Sequence, residues 1–291
     1  MRREPIFEWK PTWCAGWQTY SPTVVIVSIL LSPRRASYQD MMGQFASVPA
    51  HSWAGIAAKY ELDIPTARRE FREAFEIGIR VGSRSHAARL AGALLGELLY
   101  EAGELDDAAR MLEMSYGLGP DGGGVDYLAA RYFGSAKVKA AQGDLSAAAE
   151  RLDAGMKTAE NLQRPRLAAA INNERIRLGV APSVAARLRS VRAIPRDDGI
   201  ATINAELDEE SAVRLLLASG SADEQDQAWR RATQLLAGID ARRRPLAALR
   251  AELLLAESCS RTGRSADPTI PAVARCREIG LPRLLVDAGL G

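Results

Sequence analysis

The sequence is poor in the residues that build metal sites, disulfides and many catalytic sites. Its 291 residues include three cysteines and two histidines, His51 and His86. Cys14, Cys259 and Cys276 form no CxxC pair, so their spacing predicts neither a disulfide framework nor a zinc site. No HExxH, GxSxG or Cys-His signature surrounds either histidine. We therefore expect a non-enzymatic protein with no metal and no cofactor, in a reducing, cytoplasmic compartment.

The sequence also lacks an excess of charge of one sign. It has 38 Lys and Arg against 36 Asp and Glu, a net charge of +2, with 47% hydrophobic and 25% charged residues. This composition is typical of a folded protein and lies far from that of disordered chains. A duplex-binding module normally carries a basic stripe that displaces counterions from phosphates. We expect no direct nucleic-acid binding by this chain.

Long hydrophobic runs are missing as well. The most apolar run is Val24–Leu31, eight residues where about 20 are needed to cross a bilayer. Acidic residues and a proline before it dilute the pattern of a signal peptide. We therefore expect no membrane association. The alanine-rich helical pattern starts near Ser47, which predicts a poorly structured N-terminal extension over residues 1–46 and a helical repeat domain over residues 47–291.

What the sequence does contain is an internal repeat marked by glycine. Successive separations of 40, 36, 41 and 43 residues join Gly103, Gly143, Gly179, Gly220 and Gly263. This period is typical of helical solenoids. Each glycine follows an apolar, helix-favouring stretch and precedes a second helical pattern. The pattern predicts a glycine in the left-handed conformation at the turn of each antiparallel helix pair.

The second helices carry matching apolar stripes. The spacing i, i+3, i+4, i+7 recurs after two of the glycines, in Leu105, Ala108, Ala109 and Leu112 and in Leu145, Ala148, Ala149 and Leu152. A sixth, weaker copy precedes them, with Trp53–Tyr60 as its first helix, Glu61–Asp63 as its turn and Pro65 opening a helix over Arg68–Ile79. The predicted fold is all-α, a tetratricopeptide-like right-handed superhelix of about six antiparallel helix pairs.

Six residues before each glycine, the first helices carry a polar or charged side chain. This polar column consists of Glu97, Lys137, Asn173, Arg214 and Glu257. The column one residue earlier is small or apolar except for one asparagine, and consists of Gly96, Ala136, Asn172, Val213 and Ala256. In stacked hairpins the first helices commonly line the concave surface, so the polar column predicts a row of groups facing a groove. A plain solvated face is the alternative interpretation.

A second candidate site is a small-molecule pocket between repeats. It would be formed by Tyr127, Arg131, Asn172 and Asn173. Asn172 interrupts the small column beside Asn173, which marks this pair as a local specialisation.

Other conspicuous residues are predicted to be structural. Glu209 and Glu210 are neighbours that point apart on a helix, which predicts surface acids or a helix start. The basic cluster Arg242–Arg244 is either solvated or contacts an acidic partner. Trp229 occupies an apolar stripe position and is predicted to lie in the core. The glycine-rich stretch Gly117–Gly124 lacks the P-loop order and is predicted to be a flexible link.

Three segments resemble a known family. They are Leu95–Arg110, Asn172–Gly179 and Leu281–Gly289, and together they are similar to the MalT-like tetratricopeptide region of LuxR-family transcriptional regulators and of the related mycobacterial protein kinase K. In that family a nucleotide-binding ATPase or kinase module precedes the repeats, and a LuxR-type DNA-binding domain usually follows them. Here no Walker A motif precedes the repeats and the chain stops at Gly291. The resemblance therefore implies a sensor arm without its own ATPase and DNA-binding domains, which would be a truncated regulator, a split-gene product or a free-standing adaptor.

The function implied by the resemblance is recognition. The first hypothesis is a non-catalytic, signal-sensing arm of a LuxR/MalT-type regulator that binds a protein partner through the concave face. The alternatives are a sensor that binds a small-molecule inducer or the regulatory C-terminal arm of a serine/threonine protein kinase. Homo-oligomerisation stays open at this point.

Overall fold

A computed structural model describes residues 35–82, 85–117, 123–180, 199–265 and 270–291, with side chains from residue 47 onward, Val81 apart. Every regular element within these ranges is a helix, so the all-α prediction is confirmed for the described residues. No helix among them is both long and apolar enough to span a bilayer. The second helix expected after Gly179 and most of the glycine-rich link fall outside the described residues, as do residues 1–34.

The helices follow one another in pairs along the chain. Their bounds are α1 Arg35–Tyr60, α2 Ile64–Val81, α3 His86–Glu101, α4 Leu105–Tyr116, α5 Val125–Ala129, α6 Ser135–Ala141, α7 Leu145–Asn161, α8 Pro165–Arg177, α9 Gly199–Leu217, α10 Ala222–Ala237, α11 Pro245–Thr262, α12 Ile270–Glu278 and α13 Arg283–Asp287. A five-residue π-helical turn, Ala130–Gly134, joins α5 to α6 so that the two continue as one element. Helix α1 begins ahead of the predicted domain start at residue 47, and the division there stays a prediction.

The predicted glycine turns are present. All five glycines have φ between +66° and +86°, the left-handed region that a side chain disfavours. In two of the turns the amide that follows the glycine bonds back across the helix end, from Glu104 N to the Leu99 carbonyl at 2.9 Å and from Asp144 N to the Lys139 carbonyl at 3.0 Å. These bonds satisfy carbonyls that the helix leaves unpaired. The prediction of left-handed glycine caps is confirmed.

The first hairpin reaches the same turn geometry without glycine. Leu62 takes the left-handed conformation at φ 61°, and Asp63 N bonds to the Ala58 carbonyl at 2.9 Å. The Asp63 carboxylate then accepts a bond from Thr66 N at 3.1 Å and so caps α2. The weaker sixth copy therefore has the same turn as the others, with Leu62 in the place of glycine.

Small residues let the paired helices approach closely. Ala108 and Ala148 are fully buried between the first and second helices. A Cβ on Gly96 would lie 2.7 Å from the Leu112 side chain, so that position has no room for one. One member of the predicted stripe is misplaced, because 52% of Leu145 is exposed. Leu145 is the first residue of α7 and therefore lies at the exposed end of the helix.

The first and last hairpins share one core. Ile56 of α1 belongs to the same buried cluster as Leu249 and Leu253 of α11. The C-terminal segment joins this cluster through Leu281 and Leu285. Further buried clusters lie among α1, α2 and α3, among α5 to α8, and among α9, α10 and α11. The first hairpin is therefore packed against α11 and the C-terminal segment. The first helices near this contact carry the polar column.

Candidate functional site

The side chains of the polar column are mostly buried and contact one another or other charged groups. About 8% of the Lys137 side chain and 7% of the Glu257 side chain is accessible. This differs from the solvated face that was the alternative interpretation. Each charge must therefore have a partner, since an unpaired buried charge is costly. We call the face of the first helices that carries this column the inner face.

One set of contacts joins three successive first helices. Asn173 of α8 donates its Nδ2 to Glu210 of α9 at 2.8 Å and accepts Nη1 of Arg214 at 2.5 Å. Arg214 also donates its Nε to Glu257 of α11 at 3.3 Å. The structure thus brings together three of the predicted site residues in one bonded chain. The amide of Asn173 suits this position because it both donates and accepts.

A second cluster joins the two ends of the chain. Lys59 of α1 places its Nζ 2.8 Å from Glu97 and 2.9 Å from Glu101, both on α3. Arg250 of α11 lies 3.8 Å from the other oxygen of Glu101. Sequence reasoning missed Lys59 because it lies one helical turn after the column position, in the hairpin without a glycine. The signal that could have found it is Glu101, which repeats the Glu97 carboxylate at i+4 on the same face.

The remaining residue of the polar column, Lys137, forms an ion pair with the C-terminal helix. Its Nζ lies 3.0 Å from the carboxylate of Asp287 in α13, which also receives the Tyr100 hydroxyl at 2.7 Å. Burial raises the pKa of Asp287, but Lys137 and Arg177 lower it by more, so the carboxyl stays ionised. Asp287 was not among the predicted site residues, although it lies in one of the segments that resemble the family.

A half-buried triad ties α1, α5 and α8 together. Arg166 donates to Asp126 at 2.6 Å and to the Tyr60 hydroxyl at 2.5 Å, and Tyr60 donates to Asp126 at 3.1 Å. Burial raises the pKa of Tyr60, and the Asp126 charge raises it further. These groups satisfy one another, and they fix the first repeat against the third and fourth.

The residues of the predicted small-molecule pocket face different neighbours. Tyr127 packs edge-on against Trp53 of α1, with ring centroids 6.2 Å apart. Arg131 lies over the rings of Tyr116 and Tyr132, 5.4 and 4.9 Å from their centroids, and donates to the Tyr116 carbonyl. Arg131 therefore stabilises the packing of α4 against the π-helical turn.

The two asparagines of that pocket also differ. Asn172 is buried on the small column, and Asn173 belongs to the bonded chain with Arg214. The pocket itself stays a prediction.

Two of the charged groups that the sequence predicts to be structural form ion pairs between helices. Glu209 receives a bidentate bond from Arg231 at 2.6 Å. Arg244 of the basic cluster makes a similar pair with Glu206, at 2.7 and 2.6 Å. Glu209 and Glu210 are partly exposed, and each is bonded to a side chain from a neighbouring helix, Glu209 to Arg231 and Glu210 to Asn173. Trp229 is half-buried against its core cluster.

The Lys59 cluster predicts how stability depends on pH. Burial lowers the pKa of Lys59, but Glu101 and Glu97 outweigh it and raise the pKa above its ordinary value of 10.5. Burial raises the pKa of Glu97, but Lys59 outweighs it and lowers the pKa below 4.5. A raised lysine pKa contributes stability that is complete below about pH 10.5 and is lost as the pH rises through the raised value. A lowered carboxyl pKa contributes stability above about pH 4.5 that is lost as the pH falls through the lowered value.

Urea denaturation of the wild type and of Lys59→Met, from acid to alkaline pH, measures this dependence. The difference in the free energy of unfolding between the two proteins should be constant across neutral pH and should shrink at both extremes. A difference that stays constant up to strongly alkaline pH would show that the ammonium charge contributes nothing.

Comparison with known proteins identifies similar sequences in mycobacterial kinases. The chain is 58% identical over 260 residues, 88% of its length, to the serine/threonine-protein kinase PknK of Mycobacterium tuberculosis, strains H37Rv and CDC 1551 / Oshkosh. The same values hold for PknK of Mycobacterium bovis. The chain spans 23% of each of these kinases. No family model and no solved structure matches the chain. Similarity to mycobacterial protein kinase K is confirmed, while the tetratricopeptide and LuxR parts of the resemblance stay predictions.

Proposed function

We propose that this chain is a non-catalytic, protein-binding regulatory region of a PknK-type serine/threonine protein kinase. The observation that carries the proposal is the inner face, where side chains of six first-helix elements, α1, α3, α6, α8, α9 and α11, form three clusters of paired charges. The similarity to PknK supports the kinase interpretation over the transcriptional regulator, which stays a prediction together with a cytoplasmic location.

The architecture that best explains these clusters of paired charges on the first helices is a tetratricopeptide-like superhelix. In such an array the first helices line the inside of the coil, and their inward side chains approach one another. Contacts of α11 with α1 and α3, which lie far from it in sequence, support a coil that closes back on itself. We take the inner face to be the concave surface of this coil.

The charges of the inner face are arranged for structure and recognition. Most of its cations are paired with a carboxylate within 4 Å, as Lys59 and Arg214 are. Paired charges held in fixed positions present a defined electrostatic pattern, which gives a partner specificity more than raw affinity. Within the Lys59 cluster, Arg250 is more accessible than Lys59, with 37% of its side chain exposed against 9%. A protein partner is therefore expected to contact this cluster first at Arg250.

Replacing Arg250 tests this role. The partner to use is the purified catalytic domain of M. tuberculosis PknK, with binding to the full chain measured by titration calorimetry. We expect Arg250→Gln to weaken binding by about tenfold or more, since truncating an interfacial charge commonly costs at least that much. Arg230 of the second helix α10 offers the matched control, with 61% of its side chain exposed. Arg230→Gln should change the affinity by less than about threefold.

The result has three informative outcomes. Loss of binding confined to Arg250→Gln supports the inner face as the binding surface. Equal loss in both variants would indicate a diffuse electrostatic contact and would contradict the assignment. Absence of binding by the wild-type chain would contradict a regulatory contact with the kinase domain. The thermal unfolding midpoint of each variant separates these outcomes from a loss of folded protein.

A further inference from the structure

The C-terminal segment, residues 281–291, packs against the inner face and pairs with its charged side chains. Leu281, Leu284, Leu285 and Ala288 are all buried in the core cluster that includes the first helices. The helix within this segment, α13, is only five residues long. A short amphipathic piece of chain thus covers part of the surface on which the proposed function depends.

The polar anchor of this segment is the carboxylate of Asp287. It lies 3.0 Å from Lys137 Nζ and 3.4 Å from Arg177 Nη1, and it accepts the Tyr100 hydroxyl at 2.7 Å. Arg283, from the same segment, donates to the Tyr100 hydroxyl at 2.9 Å. Only 9% of the Asp287 side chain is accessible. Hydrogen bonds and ion pairs of this kind are strong because both charges are sheltered from water.

The body of the protein supplies the receiving side of this contact. Lys137 lies over the rings of Phe133 and Tyr100, 4.5 and 5.6 Å from their centroids, so its ammonium group is held in place. Arg177 is shared with Glu174 of its own helix. If Asp287 left, Arg177 would keep its ion pair with Glu174, whereas the buried Lys137 would lose the carboxylate that it contacts. The site is therefore built to hold a carboxylate.

We propose that this site recognises a short helical segment of a partner protein and that residues 281–291 occupy it in the free chain. The partner segment would carry two adjacent large aliphatic residues followed, two positions after the second, by a carboxylate, as Leu284, Leu285 and Asp287 do. This inference rests on the proposed interaction role and adds a partner class and a competition to it. The chain's own segment lowers the apparent affinity for the partner by occupying the site.

A synthetic peptide of residues 281–291, labelled with fluorescein at its N-terminus, tests the proposal on the full chain. Asp287→Lys places a cation against Lys137 and Arg177 and should displace the chain's own segment. We expect the peptide to bind this variant at least about tenfold more tightly than the wild type, by fluorescence anisotropy. Asp106→Lys, which makes the same charge change at an exposed position of α4, is the matched control and should bind like the wild type.

The receiving side is tested by a second change. Adding Lys137→Met to Asp287→Lys should abolish the gain in peptide binding, and a peptide with Asn in place of Asp287 should bind about tenfold less tightly. Peptide binding to Asp287→Lys no tighter than to the wild type would overturn the proposal. Wild-type chains that dimerise with rising concentration and lose the dimer in Asp287→Lys would assign the site to a second copy and overturn it as well.

If Asp287→Lys does not fold, amide hydrogen exchange of the wild-type chain with and without the peptide tests the same proposal. Saturating peptide should speed amide exchange over residues 281–290 of the chain while α3 and α6 stay protected. Unchanged exchange in the C-terminal segment would show that it is not displaced and would overturn the proposal. The kinase domain is in none of these mixtures, so their failure is distinguishable from failure of the proposed function.

Discussion

Replacing Lys59 by methionine should lower the free energy of unfolding by about 3–5 kcal/mol, because removing one partner of a buried ion pair leaves the other charge uncompensated. About 9% of the Lys59 side chain and 2% of that of Glu101 is accessible, so water cannot replace the lost ammonium group. Methionine keeps the length and the apolar stem of lysine, and the loss therefore reports the charge. Urea denaturation at neutral pH measures it.

Lys157 provides a matched control for this change. It lies exposed on α7, and Lys157→Met should change the free energy of unfolding by less than about 0.5 kcal/mol. Adding Glu101→Gln to Lys59→Met removes one of the two carboxylate charges that paired with Lys59. The double variant should therefore regain part of the lost free energy of unfolding. A Lys59→Met protein as stable as Lys157→Met would show that the two ends of the chain are not held by this cluster.

Replacing Leu152 by alanine should lower the free energy of unfolding by about 2–5 kcal/mol, the usual cost of truncating a buried leucine. Leu152 is fully buried in the core cluster formed by α5, the π-helical turn and α6 to α8. It packs beside Ala148, where the small side chain brings the helices too close for easy rearrangement. The cavity left by the change is therefore expected to persist. Thermal and urea denaturation both measure the effect.

Leu145, on the same helix and in the same predicted stripe, is the control for Leu152. Because 52% of Leu145 is exposed, Leu145→Ala should cost less than about 1 kcal/mol. The sequence pattern treats the two leucines as equivalent, whereas the structure separates them. Equal losses in the two variants would contradict the packing described for α7.

The turns were predictable because their cause is local. A glycine after an apolar helical stretch needs only its own backbone freedom to take the left-handed conformation, and its repetition at Gly103 and Gly143 made the assignment firm. The burial of Ala108 and Ala148 was predictable for a similar reason, since helical periodicity places them on one face. The turn predicted over Glu61–Asp63 has the same geometry, although Leu62 takes the position that glycine holds in the other copies.

The pairing of charges on the inner face was not predictable from periodicity. Lys59 contacts Glu97, 38 residues away in sequence, and Asp287 contacts Tyr100, 187 residues away. Whether such residues meet depends on how the whole array coils. Helical spacing gives the direction of a side chain but not the helix that it will face. Periodicity therefore assigns Lys137 to the polar column, whereas its pairing with Asp287 of α13 does not follow from helical spacing.

Hydrogen exchange of the full chain, alone and bound to the catalytic domain of PknK, tests the central claim most directly. The account predicts slower exchange on binding in the first helices, above all in α3 and α11, which carry Glu101 and Arg250. It predicts little change in the second helices α4, α7 and α10. Protection confined to the second helices, or no change in any first helix, would contradict the claim that the inner face binds the partner.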